Sequence, residues 1–351
     1  MNYTHSSCFC TRTLLSLGLL FLFLLPTARG STSYTITDLG MGTSSVAYGI
    51  NNLGQVAGFF YPVSPFEHVP PQVFVYSHGK FLDVNIEGYA LAINDLGQLV
   101  GVLNDGGLSM DYAFLYRNGR LLHLDTLDGF RVPRASAINN SGQVVGDGYL
   151  VNGSDDEGAF LYSNGRIHNL GTLGGGGAEA TGINNRGQIV GNSAIVSNTG
   201  NNERAFLYTN GRMIDLTPFV GSSASAINDR GQIVGSINST GNLLPQHAAL
   251  FSGGQILDLG VLFPGGTSAA SAINNRGQIV GYSYSVTNTS HAFIYSEGRL
   301  QDLNDLLPLN SGWVLTSANG INDRGQIVGV GISPTSGQFA AFLLTPVPFI
   351  P

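Results

Sequence analysis

Cysteine is nearly absent from this sequence, and its two copies, Cys8 and Cys10, both lie within the first thirty residues. That segment is typical of a secretory signal: Arg12 carries positive charge, residues 14–25 form a short apolar run, and small residues in 28–30 predict cleavage after Gly30. A retained membrane anchor is the alternative, although the run is too short to span a bilayer comfortably. After cleavage the chain has no cysteine, which excludes disulfides and thiolate metal sites.

Charged residues are also scarce, at 11% of the chain, and the balance is acidic. The signal holds two of the 15 basic residues and none of the 22 acidic ones, leaving 13 against 22 and a net charge of −9. Nucleic-acid binding needs a basic surface, so we expect no nucleic-acid partner. Residues 347–351 form a proline-rich tail without a preceding apolar segment, so we expect no stable membrane insertion.

Glycine, in contrast, is abundant, with 49 copies, and it belongs to a repeat. The pattern I-N-x-x-G-Q-x-x-G occurs seven times, at spacings of 43 to 48 residues. Such a period is the signature of a repeat architecture. The repeated asparagines are Asn51, Asn94, Asn139, Asn184, Asn228, Asn274 and Asn322.

Each repeat contains four runs that predict β-strands, which we name a, b, c and d. In the fourth repeat they cover residues 178–184, 188–194, 204–209 and 212–216. The c runs are apolar on both faces, which predicts that both faces are covered. The a runs are rich in small residues, which suits the crowded innermost strand around a central axis.

Two kinds of turn connect these runs. Asn-Gly pairs such as Asn118-Gly119 favour tight c–d hairpins, because both central residues need a positive φ. In the a–b turn the asparagine can cap its own turn, while a glycine takes the left-handed conformation. The glycines in that position are Gly54, Gly97, Gly142, Gly187, Gly231, Gly277 and Gly325.

The two ends of the chain predict a closed ring. Residues 34–39 form a d strand without partners, and residues 339–344 form a c strand that lacks a d strand. Joining them gives seven complete four-stranded blades, and this closure removes exposed sheet edges. We therefore predict an all-β fold: a signal peptide (1–30), a seven-bladed β-propeller of antiparallel blades (31–346) and a C-terminal tail (347–351). An open solenoid or a split arrangement is the alternative.

The repeat resembles the HAF-repeat family of extracellular bacterial proteins. Residues 291–295 (HAFIY) contain the tripeptide that names the family, and His247-Ala248 contains part of it. Residues 311–315 (SGWVL) with 320–323 (GIND) look like its distinct closing repeat. The resemblance implies secretion and a repeat fold, and it implies no activity. Some relatives end in a sorting tail with a membrane segment, and this chain departs from them there.

Catalytic and metal-binding motifs are missing from the sequence. It has no G-x-S-x-G elbow and no His-x-x-x-His pair, so we expect no cofactor and no metal. His247 and His291 occupy the same repeat position, which favours a scaffold role. The glutamines after the turn glycines are expected to bond backbone between strands or blades. The Asn or Asp after each repeated asparagine fits turn chemistry, and a calcium loop would need more carboxylates.

The b–c and d–a connections vary widely and share one rim, whereas the a–b and c–d turns on the other rim are uniform. Insertions confined to one face usually mark the binding face. The single tryptophan, Trp313, lies in a d–a connection and could instead be a packing plug that closes the ring. The ligand-binding candidates are Phe66, Asp105, Asp111, Phe130, Arg131, Asp155, Asp156, Glu157 and Trp313.

These features predict a secreted, monomeric, non-catalytic binding module for an extracellular glycan or protein. One alternative is a polysaccharide lyase or glycoside hydrolase that uses rim carboxylates. Another alternative is a structural component of an envelope or matrix.

Overall fold

The computed structural model describes residues 32–63, 69–104, 112–124, 130–150, 157–196, 203–218, 220–238 and 246–347. The chain divides into two units between Ser31 and Thr32, and all described residues belong to the second. None of them forms a helix long and apolar enough to cross a membrane. We number the repeats 1 to 7 by the asparagine that follows the first strand of each, from Asn51 to Asn322.

These residues are almost entirely strands and turns, with one short 3₁₀ helix at Leu303–Leu306. The strands are β1 (Tyr34–Asp38), β2 (Ser44–Ile50), β3 (Val56–Tyr61), β4 (Gln72–Ser77), β5 (Lys80–Ile93), β6 (Leu99–Leu103), β7 (Tyr112–Arg117), β8 (Arg120–His123), β9 (Phe130–Ile138), β10 (Val144–Leu150), β11 (Glu157–Ser163), β12 (Arg166–Asn169), β13 (Gly174–Ile183), β14 (Ile189–Ile195), β15 (Glu203–Thr209), β16 (Arg212–Asp215), β17 (Ser223–Ile227), β18 (Ile233–Asn238), β19 (Gln246–Ser252), β20 (Gln255–Gly260), β21 (Thr267–Ile273), β22 (Ile279–Tyr284), β23 (Ser290–Ser296), β24 (Arg299–Asp302), β25 (Val314–Ile321), β26 (Ile327–Ile332) and β27 (Phe339–Pro346).

The described strands form five four-stranded antiparallel sheets and one of seven strands. Four sheets follow chain order: β9–β12, β13–β16, β17–β20 and β21–β24. The fifth has the order β1-β27-β26-β25, so the first strand completes the last repeat. Its register runs from Tyr34 opposite Pro346 to Asp38 opposite Phe342. The two strands that the sequence left without partners therefore pair as predicted.

The seven-stranded sheet, β2–β8, arises because β5 serves two repeats. Its first part pairs with β4 and its second part, from Gly88 onward, pairs with β6. The sequence predicted two separate strands here. The 43 residues between Asn51 and Asn94 are the shortest spacing in the repeat. The fourth strand of repeat 1 runs directly into the first strand of repeat 2, without a separate connection.

The core lies between successive sheets. Val145 and Ala159 of repeat 3 pack in one cluster with Phe206 of repeat 4. Ala205, the residue before Phe206, points to the other face of the sheet and packs in the cluster shared with repeat 5. A third cluster joins the last repeat to the first, since it contains Ala341 of β27 and residues of β2 and β3. Both faces of the apolar c strands are therefore covered, which confirms that prediction.

The turn chemistry follows the sequence closely. Asn118 and Gly119 both have positive φ, at 52° and 73°, as a tight hairpin of this type requires. The a–b turn glycines have φ between 72° and 83°. A residue with a Cβ resists that conformation, so glycine is the residue that the a–b turn selects.

Every first strand also carries a one-residue bulge, which the sequence analysis did not predict. In repeat 4, for example, the register shifts between Ala180 and Gly182, leaving Thr181 unpaired. Residues at or beside these bulges in all seven repeats line a cavity of about 290 Å³, which we call the central cavity. The bulges turn a side chain of each first strand toward this space.

Candidate functional site

The repeated asparagines lie next to the isoleucines that line one end of the central cavity. Each asparagine is buried and donates from Nδ2 to the backbone oxygen of the asparagine in the next repeat, at 2.9 to 3.1 Å. The chain of bonds passes through all seven repeats and returns from Asn322 to Asn51. We call this set the asparagine ring. It joins each repeat to the next through buried amide groups whose hydrogen bonds are all made.

The same asparagines cap their own turns, as predicted. In repeat 4, Oδ1 of Asn184 accepts from the backbone N–H groups of Arg186 and Gln188. The prediction for the glutamines was wrong about their partner. The Gln188 side chain accepts from Nδ2 of Asn184 at 2.8 Å, within its own turn. Its position four residues after the asparagine sets this contact, so the glutamine orients the asparagine amide instead of bonding backbone between strands.

The residues that follow these asparagines form a second ring, which links repeats rather than closing turns. Each backbone N–H donates to an Oδ1 of the next repeat at 2.7 to 2.9 Å. Three of the seven are aspartates, and asparagine amides donate to their second oxygens. The members of the second ring are Asn52, Asp95, Asn140, Asn185, Asp229, Asn275 and Asp323.

Both rings line a polar cavity of about 170 Å³, separated from the central cavity by the isoleucines that precede the ring asparagines. Its lining is nearly identical in every repeat. Its amide and carboxylate groups bond to each other, and such internal pairing satisfies buried polar groups without a ligand. This end of the molecule therefore has the character of a scaffold.

Toward the start of the first strands, away from the asparagine ring, the residues differ from repeat to repeat. Along the first strand of repeat 4 the order is Glu179, Thr181, Ile183 and Asn184, so Glu179 lies farthest from the asparagine ring. Its cross-strand partner is Asn192, the residue after the invariant glycine. We call the seven equivalent pairs the variable row. They are Val46–Phe59, Tyr89–Val102, Arg134–Asp147, Glu179–Asn192, Ser223–Ser236, Ala269–Tyr282 and Ser317–Val330.

Repeats 1 and 2 form an aromatic part of this row. The ring of Phe59 lies edge-on to Tyr89 of the next repeat, with centroids 4.7 Å apart. Tyr48, a bulge residue, stacks on Phe59 at 6.1 Å and is about one-third exposed. The hydroxyls of Tyr61 and Tyr89 are 3.4 Å apart. This side of the row offers aromatic surface with hydroxyl groups at its edge.

Repeats 3 and 4 form a charged part. Arg134 and Asp147 face each other across β9 and β10. On β11, Asp147 pairs with Ala159. Glu157 lies two residues before Ala159, so its side chain is on the same face of the sheet as that of Asp147. The face is turned toward repeat 4, where Gly177 lies against the backbone and Cβ of Glu157. In repeat 4, Asn192 donates to Glu179 at 2.6 Å and accepts from the backbone of Ala224.

Asp147 differs from its counterpart Asn192 in having an unpaired oxygen. It is 7% exposed, and its Oδ1 has no hydrogen-bond partner among the described residues. Burial raises the pKa of Asp147 to about 7; Arg134 opposes the rise, and Glu157 and Glu179 add to it. A buried polar atom without a partner is rare in folded proteins and indicates a functional group more often than an exposed one does.

The charges of this part interact with one another and with the aromatic side. The pKa of Glu157 is raised by partial burial and by the neighbouring carboxylates of Glu179 and Glu203, while Arg134 lowers it. Burial also raises the pKa of Tyr48, and the charge of Arg134 opposes that rise. Tyr48 belongs to repeat 1 and Arg134 to repeat 3. The two parts of the row are therefore within electrostatic reach of each other.

The predicted candidates fall unevenly on the described residues. Glu157 begins β11 and belongs to the charged part. Arg131 lies opposite Tyr149, three residues before Arg134. Trp313 is partly buried against the core of repeat 7, with its ring edge-on to Phe342 at 6.4 Å, which is the packing role. Phe130 begins β9, and its side chain lies outside the described residues, as do Phe66, Asp105, Asp111, Asp155 and Asp156.

Sequence reasoning missed Asp147, Glu179 and Tyr48, because they lie inside the strands rather than in the variable connections. The available signal was the position after the invariant glycine. Within an otherwise uniform motif, that position holds a different type of side chain in almost every repeat: Phe59, Val102, Asp147, Asn192, Ser236, Tyr282 and Val330.

The scaffold histidines have equivalent partners. Nδ1 of His247 lies 2.9 Å from Asp258, and Nδ1 of His291 lies 2.6 Å from Asp302. Both histidines lie inside the third strand of their repeat, in β19 and β23. Repetition of the pair supports the scaffold role that was predicted for both.

Comparison of the sequence with known proteins finds one family of unknown function. A family model described as a protein of unknown function (DUF3466) matches residues 178–339, which is less than half of the chain. No curated protein matches the sequence.

Several solved β-structures resemble the chain at low sequence identity. The β-propeller domain of the Trilobed protease from Pyrococcus furiosus superposes with a TM-score of 0.59 and 8% identity, covering 90% of this chain and 98% of that one. YCF48 bound to D1 peptide gives 0.50 and 9%, covering 90% and 96%. The acylaminoacyl peptidase of Pyrococcus horikoshii gives 0.55 and 10%, covering 81% of this chain but 49% of its own. The chain therefore has an all-β fold similar to that of β-propellers.

Proposed function

We propose that the chain is a secreted, monomeric, seven-bladed β-propeller with HAF-type repeats, released by cleavage after Gly30. The asparagine ring supports seven blades, because its bonds pass through seven repeats and return to the first. On this view the sheet β2–β8 is two blades that share β5. Class averages in negative-stain microscopy should then show a seven-fold ring, and an open arc or another blade number would contradict the proposal.

Secretion has its own test. N-terminal sequencing of protein recovered from culture medium should begin at Ser31. Recovery only in the membrane fraction with the leader intact would instead support the retained anchor.

We further propose that this propeller is a non-catalytic binding module whose ligand contacts the variable row. The observation that carries this proposal is the contrast between the two ends of the first strands. One end repeats the same satisfied hydrogen bonds seven times, whereas the other places aromatic, charged and hydroxyl side chains at equivalent positions. Binding sites combine apolar and aromatic surface with a few well-placed polar groups, and this row has both.

A matched pair of variants tests this function. Tyr48→Ala combined with Glu157→Gln should abolish retention of partners on a glycan array and in a pull-down from culture supernatant. Leu53→Ala combined with Leu96→Ala is the control, since both leucines are exposed beside the asparagine ring, at 55% and 68%. Both variants should fold. Equal loss in the two variants, or no partner in either assay with the unmodified protein, would contradict the binding function.

One observation favours the enzymatic alternative. A carboxyl group with a pKa of about 7 beside two further carboxylates is suited to general acid–base chemistry on a polysaccharide. Release of unsaturated or reducing ends from a polysaccharide panel, lost in Asp147→Asn, would establish that activity. An inert panel with intact binding would leave the binding module as the function.

A further inference from the structure

Resting on the proposed binding function, we infer that the ligand presents a primary ammonium group. It is bound by the carboxylates of Asp147 and Glu157, at the interface between repeats 3 and 4.

The first ground is the unpaired oxygen of Asp147. In repeat 4 the equivalent side chain, Asn192, both donates and accepts within the fold. In repeat 3 the carboxylate cannot donate when ionised, and its buried Oδ1 accepts from no described residue. Leaving a buried acceptor unsatisfied costs roughly 1–3 kcal/mol, and more for a charged group. A ligand that donates at this point removes that cost.

The second ground is charge. Glu157 and Glu179 raise the pKa of Asp147, Glu179 and Glu203 raise that of Glu157, and Arg134 is the cation that lowers both. Arg134 is exposed and forms no ion pair within the described residues. The carboxylates therefore outnumber the positive charge, and a neutral hydroxyl donor would satisfy Oδ1 without relieving their mutual repulsion. A cationic donor does both.

The third ground is geometry, which selects among cations. The described carboxylates do not converge into a group of three that could hold a metal ion. A guanidinium is planar and prefers two parallel acceptor oxygens, whereas Asp147 presents a single buried one. An ammonium group is compact and carries three donors, so it can donate to the single oxygen of Asp147 and keep donors for Glu157, which lies on the same face. Tyr48 is within electrostatic reach of Arg134 and stacks on Phe59, and this aromatic surface suits the carbon frame that carries the cation.

An ammonium group of this kind comes from an amino sugar or from a lysine side chain. The experiment therefore has two arms, each with an acetylated control that keeps the shape and removes the charge. One arm compares a glucosamine tetramer with its N-acetylated form. The other compares a lysine-containing tetrapeptide with its acetyl-lysine form. Titration calorimetry of the full secreted chain measures both arms, and the arm that binds identifies the source.

The unmodified protein should bind at least one amine probe about tenfold or more tightly than its acetylated form, which corresponds to about 1.4 kcal/mol. Asp147→Asn should abolish this preference, and it is compatible with the fold because asparagine occupies the same position in repeat 4. Glu157→Gln should weaken it. Asp83→Asn removes an exposed carboxylate from β5 and should leave it unchanged.

A pH series separates this mechanism from simple surface attraction. The ligand selects the ionised form of Asp147, whose charged neighbours are Arg134 on β9, Glu157 on β11 and Glu179 on β13. For the lysine probe, whose ammonium stays charged throughout this range, affinity should therefore rise as the pH passes upward through about 7, with proton release on binding. If Asp147→Asn still binds the amine probe more tightly than the acetylated probe, the inference is overturned.

The other negative outcomes are distinguishable. If the amine and acetylated probes bind equally, or if neither binds while the array finds another partner, the ammonium site is wrong and the binding module stands. If the array and the pull-down also stay blank, the binding function itself fails.

Discussion

Burial of an unpaired carboxyl group makes the stability of this protein depend on pH. The pKa of Asp147 is about 7 in the fold against 3.8 without it, so the folded state binds the proton more tightly. Its contribution to stability is fully present below about pH 4, is lost as the pH rises, and is gone above about pH 7. The linked loss of unfolding free energy is about 4 kcal/mol.

Asp147→Asn removes this titration. We expect its unfolding free energy, measured by urea denaturation at a series of pH values, to lose most of the decline between about pH 4 and about pH 7 that the unmodified protein shows. Asp83→Asn should retain the decline. Identical pH profiles for Asp147→Asn and the unmodified protein would mean that Asp147 is not titrating in this range.

Single residues also show what the sequence could and could not predict. Asn184 and Gly187 were correctly placed in their turn, because both have local conformational requirements that residue type reveals. The pairing of Gln188 with Asn184 was missed, and so was the burial of Asp147. The glutamine contact lies within one turn, but spacing alone does not show whether the side chain bonds the asparagine amide or backbone. The burial of Asp147 depends on neighbouring strands, which no spacing along one strand reveals.

Among the structural elements, the second strand of each repeat depends on close contact with the first. In repeat 4 a Cβ at Gly191 would overlap the backbone oxygen of Glu179 and approach Cα of Ala180 and the ring of Phe206. Backbone cannot yield as a flexible side chain can. Thermal or urea unfolding of Gly191→Ala should therefore show a loss of more than about 4 kcal/mol.

Gly177→Ala is the matched control on the adjoining strand. Its Cβ would meet Glu157 atoms at 3.6 and 3.8 Å, which is ordinary contact. Its unfolding free energy should change by less than about 1 kcal/mol. A similar loss in both variants would indicate that glycine is required at Gly191 for its backbone flexibility and not for close contact between the strands.

The strands themselves were more predictable than their boundaries. Alternation and turn residues located four strands in repeat 4 within a few residues of β13–β16. The fusion of two strands into β5 and the bulge at Thr181 were missed. Both occur where a strand also bonds to the neighbouring repeat: β5 pairs with β4 and β6, and Thr181 donates to the backbone oxygen of Ala224. The hydrophobic pattern of one strand does not predict such contacts.

For the whole molecule, the decisive contact is the pairing of β1 with β27. Tyr34 is 1% exposed and packs in the core cluster of the last repeat. Tyr34→Ala should cost about 3–5 kcal/mol of unfolding free energy, as large aromatic truncations in cores do. Thr35→Ala, on the exposed side of the same strand, should cost less than about 1 kcal/mol.

Chemical denaturation of the two variants compares them directly. An equal and small effect in both would mean that the last sheet holds together without its first strand.

The same pairing constrains the order of events during synthesis. Thr35 bonds to a residue 310 positions later in the chain. β1 therefore has no partner until β27 has been made, and the edge of β27 is covered only when the two strands meet. Unpaired strand edges associate with other chains, so the interval before closure is the period in which a nascent chain needs protection.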